Sequence, residues 1–146
     1  MTQQIYIRNE SLEHVVNESA VRFAAEATLV DQNVQDCEVS VMLTDDSQIQ
    51  ELNFNYRQIG KPTDVLAFAM REGVDGELHS ELLGDVVISI GTAKRQAYEN
   101  DYTLDVELAR LTVHGVLHLL GYDHQTQDEE EIMFEVQERI LCMIPI

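Results

Sequence analysis

The sequence predicts an α+β fold, a small mixed sheet of about four strands packed with about five helices. Strand patterns concentrate before Gly91, and helical periodicity takes over after it. With 146 residues, 45% of them hydrophobic, residues 1–146 suit one domain with a substantial core.

Taken in order, Gln3 to Arg8 alternates Ile5 and Ile7 against Tyr6 and reads as a short strand. Ser11 is placed to cap a helix running to about Asp31, because Leu12, Val15, Val16, Phe23, Ala24 and Ala27 recur at helical spacing. His14 falls on that helix beside Glu13 and reads as a surface residue. Cys37 to Leu43 alternates apolar and polar residues, as a half-buried strand does. The Thr44 to Ser47 cluster then opens a short helix through Ile49 and Leu52.

Asn55 to Asp64 reads as a shaped loop, since Gly60 and Pro62 punctuate it and Pro62 biases Lys61 toward extended backbone. Val65 to Met70 is a nearly continuous apolar run, suited to a strand covered on both faces. The stretch 71–81 carries two glycines and reads as an exposed connection, which makes His79 a poor ligand candidate. Leu82 to Ile90 is the strongest interior strand. Asp85 sits in its middle, so its carboxylate must face solvent at an edge or find a partner.

Gly91 and Thr92 begin a helix with Lys94 and Arg95 on its first turns. Thr103 caps the next helix, Thr103 to Leu120, whose buried face includes Leu104, Leu108, Leu111 and Val113. Thr126 to Glu129 forms a capping box for a final amphipathic helix through Ile132, Met133, Val136, Ile140 and Leu141. The acids Asp128 to Glu131 then lie in a solvated first turn, where they favour the helix dipole. Cys37 and Cys142 lie far apart in apolar surroundings and read as buried small hydrophobes rather than a disulfide or metal ligands.

The net charge of −18, from 27 acidic and 9 basic residues, argues against non-specific nucleic-acid binding through a broad basic surface. The imbalance is uneven. From Tyr56 to Tyr98 five basic residues (Arg57, Lys61, Arg71, Lys94, Arg95) face six acidic ones, whereas from Glu99 onward two face eleven. A polyanion would have to meet the middle of the chain. No apolar run is long enough to cross a bilayer, and the N-terminus lacks the basic and apolar regions of a signal peptide, so a cytoplasmic location is expected.

The chemistry points to Leu111 to His124, which contains His114, His118 and His124. Four-residue spacing puts His114 and His118 one turn apart on one helix face. Gly121 stands where a helix end favours positive φ, so the chain can turn and return His124 toward the pair. A metal site on a helix and the turn after it is therefore expected. Three histidines without a fourth protein ligand match a catalytic Zn2+ site, although other divalent transition metals also suit imidazole. Hydrolysis is the natural consequence, because three neutral ligands leave zinc its full charge. The peptidase motif H-E-x-x-H carries a glutamate base after its first histidine, and here that position is Gly115.

His114 to His124, HGVLHLLGYDH, resembles the signature of the YbeY family of bacterial metal-dependent endoribonucleases. Asn55-Tyr56-Arg57 with Lys61 to Phe68, KPTDVLAF, resembles a second signature of the family, and Leu83 to Ser89, LGDVVIS, a third. The resemblance implies a zinc-binding α+β fold and hydrolysis of single-stranded RNA. It also implies maturation of the 3′ end of small-subunit (16S) ribosomal RNA and a part in ribosome quality control, with ribosomal RNA and small-subunit components as partners and no DNA. It carries the family's ligands onto His114, His118 and His124 and its functional arginine onto Arg57. A guanidinium there can meet two oxygens of a scissile phosphate. Lys61, Lys94 and Arg95 are further candidates for guiding RNA. Two alternatives stand beside this reading, a metallopeptidase using the HxxxH helix and a non-catalytic ribosome-assembly factor with a structural metal. A fourth ligand from Cys37, Cys142 or Asp85 would favour the latter.

Overall fold

The computed structural model of the chain describes residues 4–70 and 82–146, so the connection at 71–81 with His79 lies outside the described residues. Four strands, β1 (Gln4–Asn9), β2 (Glu38–Thr44), β3 (Val65–Ala69) and β4 (Leu82–Ser89), form one sheet in the order β1-β2-β4-β3. β1, β2 and β4 run parallel, and β3 is the antiparallel edge. Five helices complete the fold: α1 (Glu18–Asp31), α2 (Asp46–Arg57), α3 (Ile90–Glu99), α4 (Leu104–Leu119) and α5 (Gln127–Leu141). The architecture is the expected α+β one.

α4 is the pivot, because it is apolar almost all round and so can be buried on more than one side. Leu108, Leu111, Val116 and Leu119 pack with Val86 and Ile88 of the sheet and with Val21, Ala25 and Leu29 of α1. Ala109, Val113 and Leu117 pack with Met133, Val136 and Ile140 of α5. Each fully buried Leu or Val contributes roughly 1.5–3 kcal/mol from removal of apolar surface from water. Thr103 caps the helix as expected, accepting from Val106 N–H at 3.1 Å. The Thr126 capping box is present in full.

α4 also lies close to the sheet. A Cβ on Gly115 would come within 2.6 Å and 3.1 Å of the two Val86 methyl groups and 3.4 Å of Val65 Cγ2. The absent side chain at 115 lets the helix seat against β3 and β4 and brings its histidines beside the edge strand.

Several expectations need correction. α1 begins at Glu18 with Asn17 as its cap, not at Ser11. Ser11 Oγ instead accepts from Glu13 and His14 N–H in a local turn and donates to Asp45. Leu12 and Val15 are therefore 96% and 98% exposed rather than on a buried helix face. His14 is half-buried in that turn, with its Nδ1 3.2 Å from Lys94 Nζ.

α2 runs on through Asn55, Tyr56 and Arg57 and stops only when Gln58 adopts a left-handed conformation. The Gly60 and Pro62 signals lie beyond its end rather than at it. β3 is covered on both faces as expected, Val65 and Ala67 packing with the α4 side and Leu66 and Phe68 with the α2 side. Among the described residues its outer edge pairs with no strand. Asp85 lies on an interior strand yet is exposed. Cys37 is buried as expected, whereas Cys142 is exposed where α5 ends.

Candidate metal centre and cleft

α4 carries His114 and His118 on one face, and their ring centroids lie 4.8 Å apart. The helix ends as the sequence requires: Gly121 takes φ +105°, its N–H donates to His118 O at 3.0 Å and Tyr122 N–H donates to Leu117 O at 3.0 Å. Tyr122 then fastens the turn, packing on the α4–α5 cluster while its hydroxyl donates to Gln32 Oε1 at 2.9 Å. The chain thus returns His124 to the pair, at ring-centroid distances of 5.5 Å from His114 and 5.0 Å from His118.

One ring nitrogen from each histidine lies within 4.8 Å of the other two, so the three could hold a metal ion. The surroundings suit that use. Burial lowers the His114 pKa, and His124 lowers it further, against opposing effects of Gln137 and Asp64. Burial, followed by the neighbouring His114 and His124, lowers His118 to about 4. At neutral pH both rings are therefore neutral, the form that donates a lone pair to a metal. The His114 ring is also oriented from behind, with Nδ1 3.1 Å from Gln137 Oε1. Among the described residues no cysteine or carboxylate joins this cluster, so Cys37, Cys142 and Asp85 are not a fourth ligand.

The cluster opens into a cleft of about 560 Å³. Its other wall is Arg57 together with Thr63 to Ala67, from the end of α2 through the loop and along the edge of β3. The loop is tied to α2 by Gln50 Nε2, which donates to Gly60 O at 2.9 Å, and by the buried Asn53, whose Nδ2 donates to Lys61 O at 2.9 Å. Arg57 enters no ion pair among the described residues.

The other basic candidates do not line the cleft among the described residues. Arg95 pairs with Asp46 at 3.0 Å where α2 and α3 meet, Lys94 lies against His14, and Lys61 is exposed on the loop. Three residues with no assigned role in the sequence reading belong to the site. Asp64 lines the cleft, its Oδ1 accepting from Val65 N–H at 2.8 Å and its Oδ2 from Gln96 at 3.3 Å. Asp123 also lines the cleft and accepts from His124 N–H at 2.8 Å. Gln137 stands behind His114. Asp64 lay within the KPTDVLAF block, but nothing local in sequence marks Gln137.

An α+β protein with a three-histidine cluster in an open cleft beside an arginine is the class these features define. The family model described as Endoribonuclease YbeY matches residues 1–144. A protein of Syntrophotalea carbinolica named Endoribonuclease YbeY is 45% identical over 127 residues, 87% of this chain and 85% of the relative. One of Sulfurihydrogenibium with the same name is 42% identical over 138 residues, 94% of this chain and 90% of the relative. A solution structure from Thermotoga maritima superposes with a TM-score of 0.63 at 26% identity, covering 94% of this chain and 87% of its own. The chain belongs to the YbeY endoribonuclease family.

Proposed function

We propose that residues 1–146 act as a single metal-dependent hydrolase domain that cleaves single-stranded RNA in the cytoplasm. Its substrate is small-subunit ribosomal RNA, matured at the 3′ end and monitored in ribosome quality control, with ribosomal components as partners. The observation that carries this reading is the shared cleft, with Arg57 on one wall and His114, His118 and His124 on the other.

In this reading the three histidines hold one divalent transition metal, zinc being the ion their donor set suits. When bound, such an ion supplies a Lewis acid and lowers the pKa of water to about 7. Arg57 binds the scissile phosphate through two oxygens and offsets the charge that builds on them, a contribution of about 3–4 kcal/mol for a well-placed donor. Asp64 and Gln96 fix the backbone at Val65, which holds the edge of β3 as the floor of the cleft. The acids in the first turn of α5, Asp128, Glu129 and Glu130, repel the RNA backbone, so the strand enters from the Arg57 and Lys61 side.

Packing also speaks against a peptidase built on the HxxxH helix. The position where that chemistry places its glutamate is Gly115, and a side chain there would meet Val86. The zinc-loaded chain should cleave ribosomal RNA and leave casein intact. Cleavage of casein alone would establish the peptidase reading, and cleavage of neither substrate would establish a non-catalytic assembly factor.

A further inference from the structure

α5 presents Met133, Val136, Gln137 and Ile140 to the interior. Three are apolar and one is an amide, 8% exposed, set in the stripe that packs on α4. A buried amide costs free energy unless it is hydrogen-bonded, so a packing role alone would favour an apolar residue here. The structure supplies the partner: Gln137 Oε1 lies 3.1 Å from His114 Nδ1, joining residues 23 positions apart on two helices.

We propose that Gln137 is a positioning residue for the metal centre, which fixes His114 in the tautomer that donates Nδ1–H to α5 and leaves Nε2 free to bind the ion. A carbonyl oxygen can only accept, so the hydrogen must sit on Nδ1, and a neutral imidazole then carries its lone pair on Nε2. Holding the ring in this state removes from metal binding the cost of selecting a tautomer and a rotamer. It also makes the docking of α5 part of the site, since losing the helix would release the His114 ring. The inference rests on the three-histidine metal reading above.

The test uses the full chain and zinc, with affinity measured by competition against a chromophoric chelator. The imidazole tautomers of the metal-free protein are read by long-range 1H–15N NMR. Gln137→Met keeps the length and removes the acceptor; it should weaken zinc binding by about 10- to 100-fold and let both tautomers of His114 appear. Gln137→Glu keeps an acceptor that cannot donate, so it should bind zinc at least as tightly as the wild type and keep the Nδ1–H form. A wild-type His114 in the Nε2–H form, a Gln137→Met chain with wild-type affinity, or a Gln137→Glu chain as weak as Gln137→Met would each overturn the inference. A wild-type chain that does not bind zinc would overturn the metal reading and this inference with it. The tautomer of the wild type decides the matter even if Gln137→Met fails to fold.

Discussion

The two walls of the cleft are packed to different depths. The histidine wall grows from α4, the most deeply packed helix, with Val116, Leu117 and Leu119 buried on the turns that carry His114 and His118. The arginine wall joins the last turn of α2 to Thr63 to Ala67, and the whole of α2 buries only Ile49 and Asn53. Core packing of α4 places the imidazoles of His114 and His118. Arg57 ends a helix that Ile49 and Leu52 pack against Leu66 and Val87, that Asp46 attaches at its other end, and whose Gln50 and Asn53 tie down the following loop. A metal site needs ligand positions fixed within fractions of an ångström, which a packed helix supplies. In the proposed function, a cationic arm on a less buried element adjusts to the phosphate that it binds.

The contrast is broken most severely on the histidine side. His114→Ala should weaken zinc binding by more than the about 100-fold upper range for losing a mere supporting residue, and abolish RNA cleavage, while the fold survives. Zinc content and circular dichroism check it. Next is Gly115→Ala, where one methyl must enter a space already closed by Val86. Overpacking of this kind costs about 1–3 kcal/mol, so denaturant unfolding should show that loss together with weaker zinc binding as α4 shifts.

The smallest effect lies on the arginine side. Partial burial pushes the Asp46 carboxyl up, but hydrogen bonds from Ser89 and Thr92 and the Arg95 guanidinium outweigh it and hold the pKa below the usual range. Asp46 therefore contributes stability that is full above the unfolded value of about 3.9 and is lost as pH falls through the lower folded value. The stability gap between wild type and Asp46→Asn should be constant near neutral pH and close below about pH 3.9. A gap that persists there would assign the effect to packing at the α2–α3 junction.

The comparison also explains what could be read in the sequence. The histidine wall was legible because its signals are local: His114 and His118 share a face by spacing, Gly121 carries the positive φ, and Thr126 starts α5 with its own capping box. The end of α2 was not, because Gly60 and Pro62 advertise a turn whereas the helix stops at Gln58, through a left-handed residue with no sequence mark. Arg57 was therefore expected on a loop and stands on a helix. Ser11 and Asn17 are both good caps, and tertiary packing chooses between them: among the described residues Leu12 and Val15 stay exposed. In the sequence Gly115 shows only the missing peptidase glutamate, whereas in the fold its missing side chain leaves room for Val86. Gln137 was invisible, since its partner is on another helix.

The division of labour between the walls is tested most directly by measuring zinc stoichiometry and ribosomal RNA cleavage side by side for Arg57→Ala and His114→Ala. The account predicts that Arg57→Ala keeps one zinc per chain and loses cleavage by at least about 10²–10³-fold, while His114→Ala loses both. An Arg57→Ala chain that cleaves at the wild-type rate, or a zinc-free His114→Ala chain that still cleaves, would contradict it.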